Sequence, residues 1–476
     1  MEEVVKYQED IEGLVKREGI EGALASLYDA GVHVALDEVK GRRSIRRPGL
    51  EIPVTSEDFD NPMLVRHFET QTSGSTGPRR RMGIDFTQQC YETAVHYVTC
   101  EAGGFVDRPT ALWRTIPPGG AGIKNALNHA KMRRPIVRWF TPQPLTWRND
   151  MWKSAIFLQY AVYASRVHGP LVPSPEYVPL GSETPIVRWL ADQTRRGQPA
   201  ALSAPVTGVV RLCQAAKETG MDISGTMFRP GGEPLTPAKH ALIRLVGADA
   251  YPRWAMAECG IMAGGCTHGE VVDEMHVLSG KLAVLARPKS LSDGTTVNAI
   301  FLTTLLPAAS KVMLNLESGD AAVTSDRRCG CPLEAIGFFP RVHTIRSYEK
   351  LTTAGMHFIG TELLRLIEEV LPAAFGGSPA DYQLVEEERD DVNRVSVLVH
   401  PRLGPLDENE VVSTVLNFLG SHSRGERLMA EVWKDSGVVE VSRHEPHSNA
   451  GGKVAPLRVI RAQTPGCPGT AGQHGR

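Results

Sequence analysis

Short apolar runs alternate with longer helical stretches between residues 135 and 219, and this alternation limits the fold more than any other feature. The segments "PIVRWF", "LVPS" and "ALSAP" read as brief strands. Among them lie "DMWKSAIFLQYAVYASRV" and "PVTGVVRLCQAAKETG", whose length and apolar spacing suit helices. Strands separated by helices cannot pair through tight hairpins, so they align in parallel with the helices as crossovers. The expectation is an α/β region with a largely parallel sheet.

Two further patterns flank it. Upstream, residues 3–30 and 87–101 have helical periodicity. From about residue 270 to 345, "KLAVLARP", "VNAIFLTTLL" and "KVMLNLESGDAAV" are β-rich runs divided by turns, expected to form a small antiparallel sheet or barrel. Beyond residue 350, "GTELLRLIEEVLP" predicts a helix ended by Pro372. Next, "YQLVEEERDDVNRVSVLVHP" predicts two strands around a charged turn, and "DENEVVSTVLNFLGSHS" another helix. The chain thus divides into a domain over 1–346, with its β-rich subdomain at about 270–345, and an α+β module over 347–462. The glycine- and proline-rich tail 463–476 is expected to be disordered.

Composition narrows the function classes. Lys and Arg number 52 against 54 Asp and Glu, a net charge of -2, which argues against nucleic acid or an anionic membrane surface as partner. No apolar run approaches the ~18 residues that span a bilayer. The start, "MEEVVKYQEDIEGLVKREG", has no apolar core of a secretory signal, so a cytoplasmic protein is expected. Eight cysteines are too few for a disulfide framework in a chain of this length.

Two clusters carry chemistry. "TSGSTGPRRR" joins Thr72, Ser73, Gly74, Ser75, Thr76 and Gly77 to a block of positive charge that includes Arg80. Small residues expose backbone N–H groups and the hydroxyls add donors, which suits phosphate oxygens better than a chance surface turn. The pattern lacks the lysine of the P-loop. The second cluster is "RCGCP", with Cys329 and Cys331, together with Cys266 and His268 in "GGCTHGE". Spacing alone supports a tetrahedral zinc site and a pair of free thiols equally.

The loop resembles the phosphate-binding signature of the adenylate-forming superfamily, T-S-G-[ST]-T-G-x-P-K, with Arg80 where lysine is usual. Five further matches follow in the same order over roughly residues 60–460. "RPGGEPLTP" resembles the adenine-side segment, which implies nucleotide contacts for Gly231, Gly232 and Glu233. "WAMAECG" resembles Y-G-x-T-E, making Glu258 the magnesium carboxylate, Trp254 the aromatic near adenine, and Ala257 the replacement of a threonine. "LESGDAAV" gives Asp320 the ribose hydroxyls. The hinge-like "IRSYEKL" gives Arg346 a ribose or phosphate contact, with Tyr348 at the pivot. "HSNAGGKV" makes Lys453 the mobile catalytic lysine.

The resemblance implies a large domain of parallel sheets with helices, a β-rich subdomain, and a mobile α+β lid. It implies an ATP-dependent ligase that forms an acyl-AMP on Mg-ATP, with Lys453, Glu258 and Arg80 as catalytic groups. The phenylacetate–CoA ligase-like and acyl-protein synthetase-like branch is the most similar. That branch favours coenzyme A as acceptor and a structural zinc on Cys266, Cys329, Cys331 and a fourth ligand. His268 is the choice for that position, with Cys259 and His276 as alternatives. Transfer to an amine or carrier protein, activation of nitrite, an inactive nucleotide-binding scaffold, and a homodimer stay open.

Overall fold

The computed structural model describes residues 2–65, 67–71, 81–144, 151–291, 296–348, 352–353, 356–357, 362–389, 392–421, 430–431, 433–434, 439–449 and 451–460. The chain splits into two units, residues 1–349 with 448–453, and residues 350–447 with 454–476. The larger unit holds a six-stranded sheet of β1 (Thr110–Trp113), β2 (Arg138–Thr141), β3 (Pro175–Tyr177), β4 (Ala201–Ala204), β5 (Met227–Pro230) and β6 (Asp249–Ala250). Its order is β6-β5-β4-β1-β2-β3, with every pairing parallel.

Every residue of β1 and of β4 is buried, because helices cover both faces of the sheet. Before β1 comes α1 (Phe86–Ala102); after it come α2 (Gly120–Lys131), α3 (Met151–His168), α4 (Thr184–Arg195) and α5 (Val206–Thr219). Alternation along β1 sends Trp113 to the α4–α5 side, where it joins Leu202 and Phe228. Leu112 goes to the α2–α3 side, with Trp139 and Leu158. The strand expected at "LVPS" forms later, at Pro175–Tyr177. Proline is tolerated at the first position of a strand, and Pro175 opens this one.

The chain then builds a seven-stranded sheet: β7 (Arg253–Met256), β8 (Gly260–Gly265), β9 (Met275–Val277), β10 (Leu282–Ser290), β11 (Thr296–Thr304), β12 (Leu316–Ser325) and β13 (Arg341–Ser347). Its order is β7-β8-β9-β13-β12-β11-β10, with antiparallel pairings. It begins at Arg253, earlier than the boundary near 270 read from composition. The helix expected over 3–30 spans Glu2–Asp29 and breaks at Gly19, whose φ of 74° no continuous helix allows.

In the smaller unit, β14 (Tyr382–Arg389) and β15 (Val392–Val399) form the expected hairpin; β16 (Val439–Ser442) and β17 (Leu457–Ile460) pair in parallel on its two sides. Pro372 does not end its helix, which continues to Phe375. Leu366–Val370 form a wider i→i+5 turn just before it, and that turn absorbs the missing backbone donor.

Helix α2 approaches the parallel sheet through a glycine. A β-carbon on Gly122 would fall 2.5 Å from Trp139 Cζ2, and Trp139 is fully buried with its indole N–H donating to the Arg114 carbonyl at 3.2 Å. Gly122→Ala should therefore destabilise the larger unit by about 1–3 kcal/mol through overpacking. A chemical denaturation curve reads this directly, and an unchanged midpoint would contradict the close approach.

Candidate functional site

The candidate site forms where the parallel strands end and β7 begins. Gly231 bridges Arg253, and a β-carbon on Gly231 would lie 2.9 Å from Arg253 Cγ. Gly232 has φ 86°, and a β-carbon there would lie 2.6 Å from Lys453 Cε. Glycine suits the first position for close approach and the second for its backbone conformation. Glu233 follows, accepting from Thr207 N at 2.9 Å and from Thr207 Oγ1 at 2.7 Å.

Lys453 comes from a short turn, residues 448–453, that groups with the larger unit. Asn449 is its keystone. Its Oδ1 accepts from Gly451 N at 2.9 Å and Lys453 N at 3.2 Å, while its own N–H donates to the Lys453 carbonyl at 2.9 Å. Gly452, at φ 76°, packs beside Leu180. The ammonium is thereby carried to Gly232.

Glu258 is a buried carboxylate in the turn between β7 and β8. Its charge reaches Lys124 on α2, whose pKa is lowered first by burial and is raised in part by Glu92 and Glu258. Asp320 is half-buried on β12, opposite Ser347 on β13. Arg346 lies opposite Ala321, one step along, so strand alternation directs it to the other face. There its Nη1 is 3.6 Å from Asp273 Oδ2 and donates to the Ile345 carbonyl. Trp254 is buried in the core of the antiparallel sheet with Met262 and Val277. Ala257 sits in the same turn as Glu258. Tyr348 is buried and donates to Glu317. Thr72, Ser73, Gly74, Ser75, Thr76, Gly77 and Arg80 lie outside the described residues.

Several site residues escape a sequence reading. Arg114 directly follows β1; its Nη2 donates to the Ala204 carbonyl at 2.6 Å. Arg253 donates to Asn125 Oδ1 at 2.9 Å and Ser203 Oγ at 3.0 Å. Arg229, 2 % exposed, donates to His96 Nε2 at 2.9 Å and stacks over Phe105. His96 in turn faces His129, Nε2 to Nε2, at 3.1 Å. The available signal was a polar residue in register at the end of an apolar run, where parallel sheets gather ligands.

A separate cluster joins Cys266, His276, Cys329 and Cys331, with ligand atoms all within 4.8 Å of one another. The sulfurs of Cys266 and Cys329 are 3.6 Å apart, and His276 Nε2 lies 3.4 Å from Cys329 Sγ and 3.0 Å from Cys331 Sγ. His276 Nδ1 donates to the Phe338 carbonyl at 2.6 Å, which fixes the ring and leaves Nε2 free to ligate. The histidine that joins the three sulfurs is His276, the alternative, and not His268. Strand β9 holds His276 in register with Gly264, beside the end of β8 that leads to Cys266. His268 sits in an exposed turn, its Nδ1 3.1 Å from the Cys329 carbonyl. Cys259 is buried in the core of the antiparallel sheet.

No family model and no curated relative matches the chain. Among solved structures, 2-hydroxyisobutyryl-CoA ligase in the postadenylation state with R3-HIB-AMP is similar at TM-score 0.50 and 16 % identity. The match covers 85 % of this chain and 74 % of that one. The same ligase with 2-HIB-AMP matches at TM-score 0.50 and 16 % identity, over 90 % and 80 %. The chain therefore shares the fold of that ligase. Among the described residues no helix is long and apolar enough to cross a membrane.

The paired histidines make stability depend on pH. Burial first, and then the Arg229 charge, hold His129 down at about 3 and push His96 well below its usual value. Unfolded histidine takes up a proton near pH 6.5 while these two stay neutral, so stability is complete above that pH and falls as pH drops toward the folded values. Between pH 6.5 and 5 the loss should be about 2 kcal/mol for each histidine. Urea titrations at the two pH values measure it. A smaller loss in His129→Asn would support the assignment, and identical losses in variant and parent would contradict it.

Proposed function

We propose that this chain is an ATP-dependent ligase that activates a carboxylic acid as an acyl-adenylate and passes the acyl group to a thiol, that of coenzyme A. The observation that carries the reading is the meeting of Lys453 with the bare Gly231–Gly232 edge, in the unit that also holds Glu258 and Asp320. The fold shared with an acyl-CoA ligase supports it.

In this reading residues 72–80 cradle the outer phosphates through backbone N–H groups and hydroxyls, and Arg80 offers a planar fork to their oxygens. Asp320 accepts from the ribose hydroxyls. The acid's carboxylate oxygen attacks the α-phosphorus, the bond to the bridging oxygen breaks, and pyrophosphate leaves. Lys453 sits where negative charge gathers on the pentavalent centre, so its stabilisation is greatest in the transition state. Coenzyme A then supplies the sulfur that attacks the acyl carbon and releases AMP.

Glu258 fits a magnesium ion by donor chemistry, being a buried carboxylate in the turn between β7 and β8. The ion would neutralise phosphate charge during attack. The Cys266, His276, Cys329, Cys331 set fits zinc. With Zn–S bonds of about 2.3 Å, tetrahedral sulfurs stand about 3.8 Å apart, close to the 3.6 Å observed. Such a site has no open position and pins the loop 329–331 to β8 and β9 without entering the reaction.

Purified protein should exchange labelled pyrophosphate into ATP in the presence of one acid. Lys453→Ala should slow that exchange about 100-fold or more while sparing acyl transfer from a supplied acyl-adenylate. Equal losses in both half-reactions would contradict the role given to Lys453, and no exchange with any acid or with nitrite would contradict adenylation. Zinc content gives a second check. Emission spectrometry should find one zinc per chain, retained in His268→Ala and lost in His276→Ala; the reverse pattern would exclude the assigned fourth ligand.

A further inference from the structure

The carboxyl edge of the parallel sheet carries more positive charge than its neighbours neutralise. Strands β5, β4 and β1 are adjacent, and Ser203 on β4 stands in register with Arg229 on β5. Trp113, Leu202 and Phe228 enter the core beneath α4 and α5, so Arg114, Ser203 and Arg229 project to the opposite face. Arg253 enters the same space from β7. Ser203 Oγ accepts from Arg253 at 3.0 Å and lies 3.4 Å from Arg114 Nε.

All the hydrogen-bond partners of these three guanidinium groups are neutral: Ser203 Oγ, Asn125 Oδ1, His96 Nε2 and the Ala204 carbonyl. None of the three is ion-paired to a carboxylate among the described residues. Arg229 is 2 % exposed with an Nε that has no partner, and His96, fully buried, has an unpartnered Nδ1. Arg229 can only donate, and His96 Nε2 meets both it and His129 Nε2. Guanidinium is a donor with no acceptor, so these groups call for electron-rich partners. The charge of Glu233 acts on Arg114 alone of the three, so burying them together still carries a large desolvation penalty, and their arrangement is that of a receptor for a further anion.

The geometry points to a subsite in which Arg114 and Arg253, backed by Arg229, hold a second anionic group on the acid substrate. The acid class is a short dicarboxylate. This inference rests on the adenylation reading and adds the substrate class. Arg253 packs over Gly231 and Lys453 over Gly232, so the two cations flank successive residues of one edge. A carboxylate reacting beside Lys453 would direct the far carboxylate toward the Arg253–Ser203–Arg114 end. Nitrite has a single oxyanion group, used up at the reacting phosphorus, and would leave these arginines unanswered. A monocarboxylate would place an apolar terminus against them.

The experiment compares matched pairs in pyrophosphate exchange: malonate with propionate, succinate with butyrate, glutarate with valerate, and nitrite alone. One dicarboxylate should exceed its monocarboxylate partner about 100-fold in kcat/KM, since a missing partner strands buried charge. Arg253→Gln should raise KM for that dicarboxylate at least about 10-fold more than for the monocarboxylate, and Arg253→Lys should restore part of the difference. Monocarboxylates equal to or better than their partners, or exchange with nitrite alone, would overturn this inference and leave adenylation standing. Exchange with none of these and with no other acid would overturn both. The parent protein's own preference decides the matter should a variant fail to fold.

Discussion

The arrangement depends on two adjacent glycines. Gly231 and Gly232 give the end of β5 no side-chain bulk, so Arg253 can lie over the first and Lys453 over the second. A β-carbon at either position would occupy the space these side chains use. Bare backbone is costly in conformational entropy, and the usual return is close approach to another group. Here the groups approaching are cations from two different segments, and an ordinary residue would separate them.

Those cations also explain why the site is polar where a domain of this size would be expected to bury apolar groups. Period-two alternation places hydrophobic side chains under α4 and α5 and leaves the other face, at the strand ends, to Arg114, Ser203 and Arg229. Like charges gathered in a low-dielectric space repel one another. Burial first, and then the Arg229 charge against the help of Glu233, bring Arg114 down to about 9, still charged at neutral pH. The folded chain maintains this repulsion because covalent structure and packing fix the strands; an arriving anion relieves it. Binding energy of that kind is available to orient an acid for attack.

Much of the fold was legible in the sequence, for physical reasons that differ by region. Buried parallel strands read as continuous apolar runs, so "ALSAP" was recognisable as β4, and the hairpin of β14 and β15 announced itself through alternation around a charged turn. The antiparallel sheet was visible, but its start at Arg253 was hidden, because β7 is four residues long and carries no alternating pattern of its own. Pro372 was misleading because a wider helical turn can absorb a proline, and a sequence does not show hydrogen-bond spacing. At the glycine edge, Lys453, Gly231 and Gly232 were singled out through family resemblance, and the structure brings them together. Arg114 and Arg253 were not, since a single arginine after a strand has no local signature and acquires meaning only when neighbouring strands align. His276 was passed over for His268 because closeness along the chain favoured the latter, whereas strand register brings the former to the sulfurs.

The central proposal is that Glu258, Asp320 and Lys453 surround one nucleotide at the glycine edge. A crystal structure with ATP and magnesium tests it most directly. The account predicts the ribose on Asp320, a magnesium ion bound by a Glu258 oxygen, and the α-phosphate beside Gly232. A nucleotide bound elsewhere, or a glycine edge still empty at saturating ATP, would contradict it.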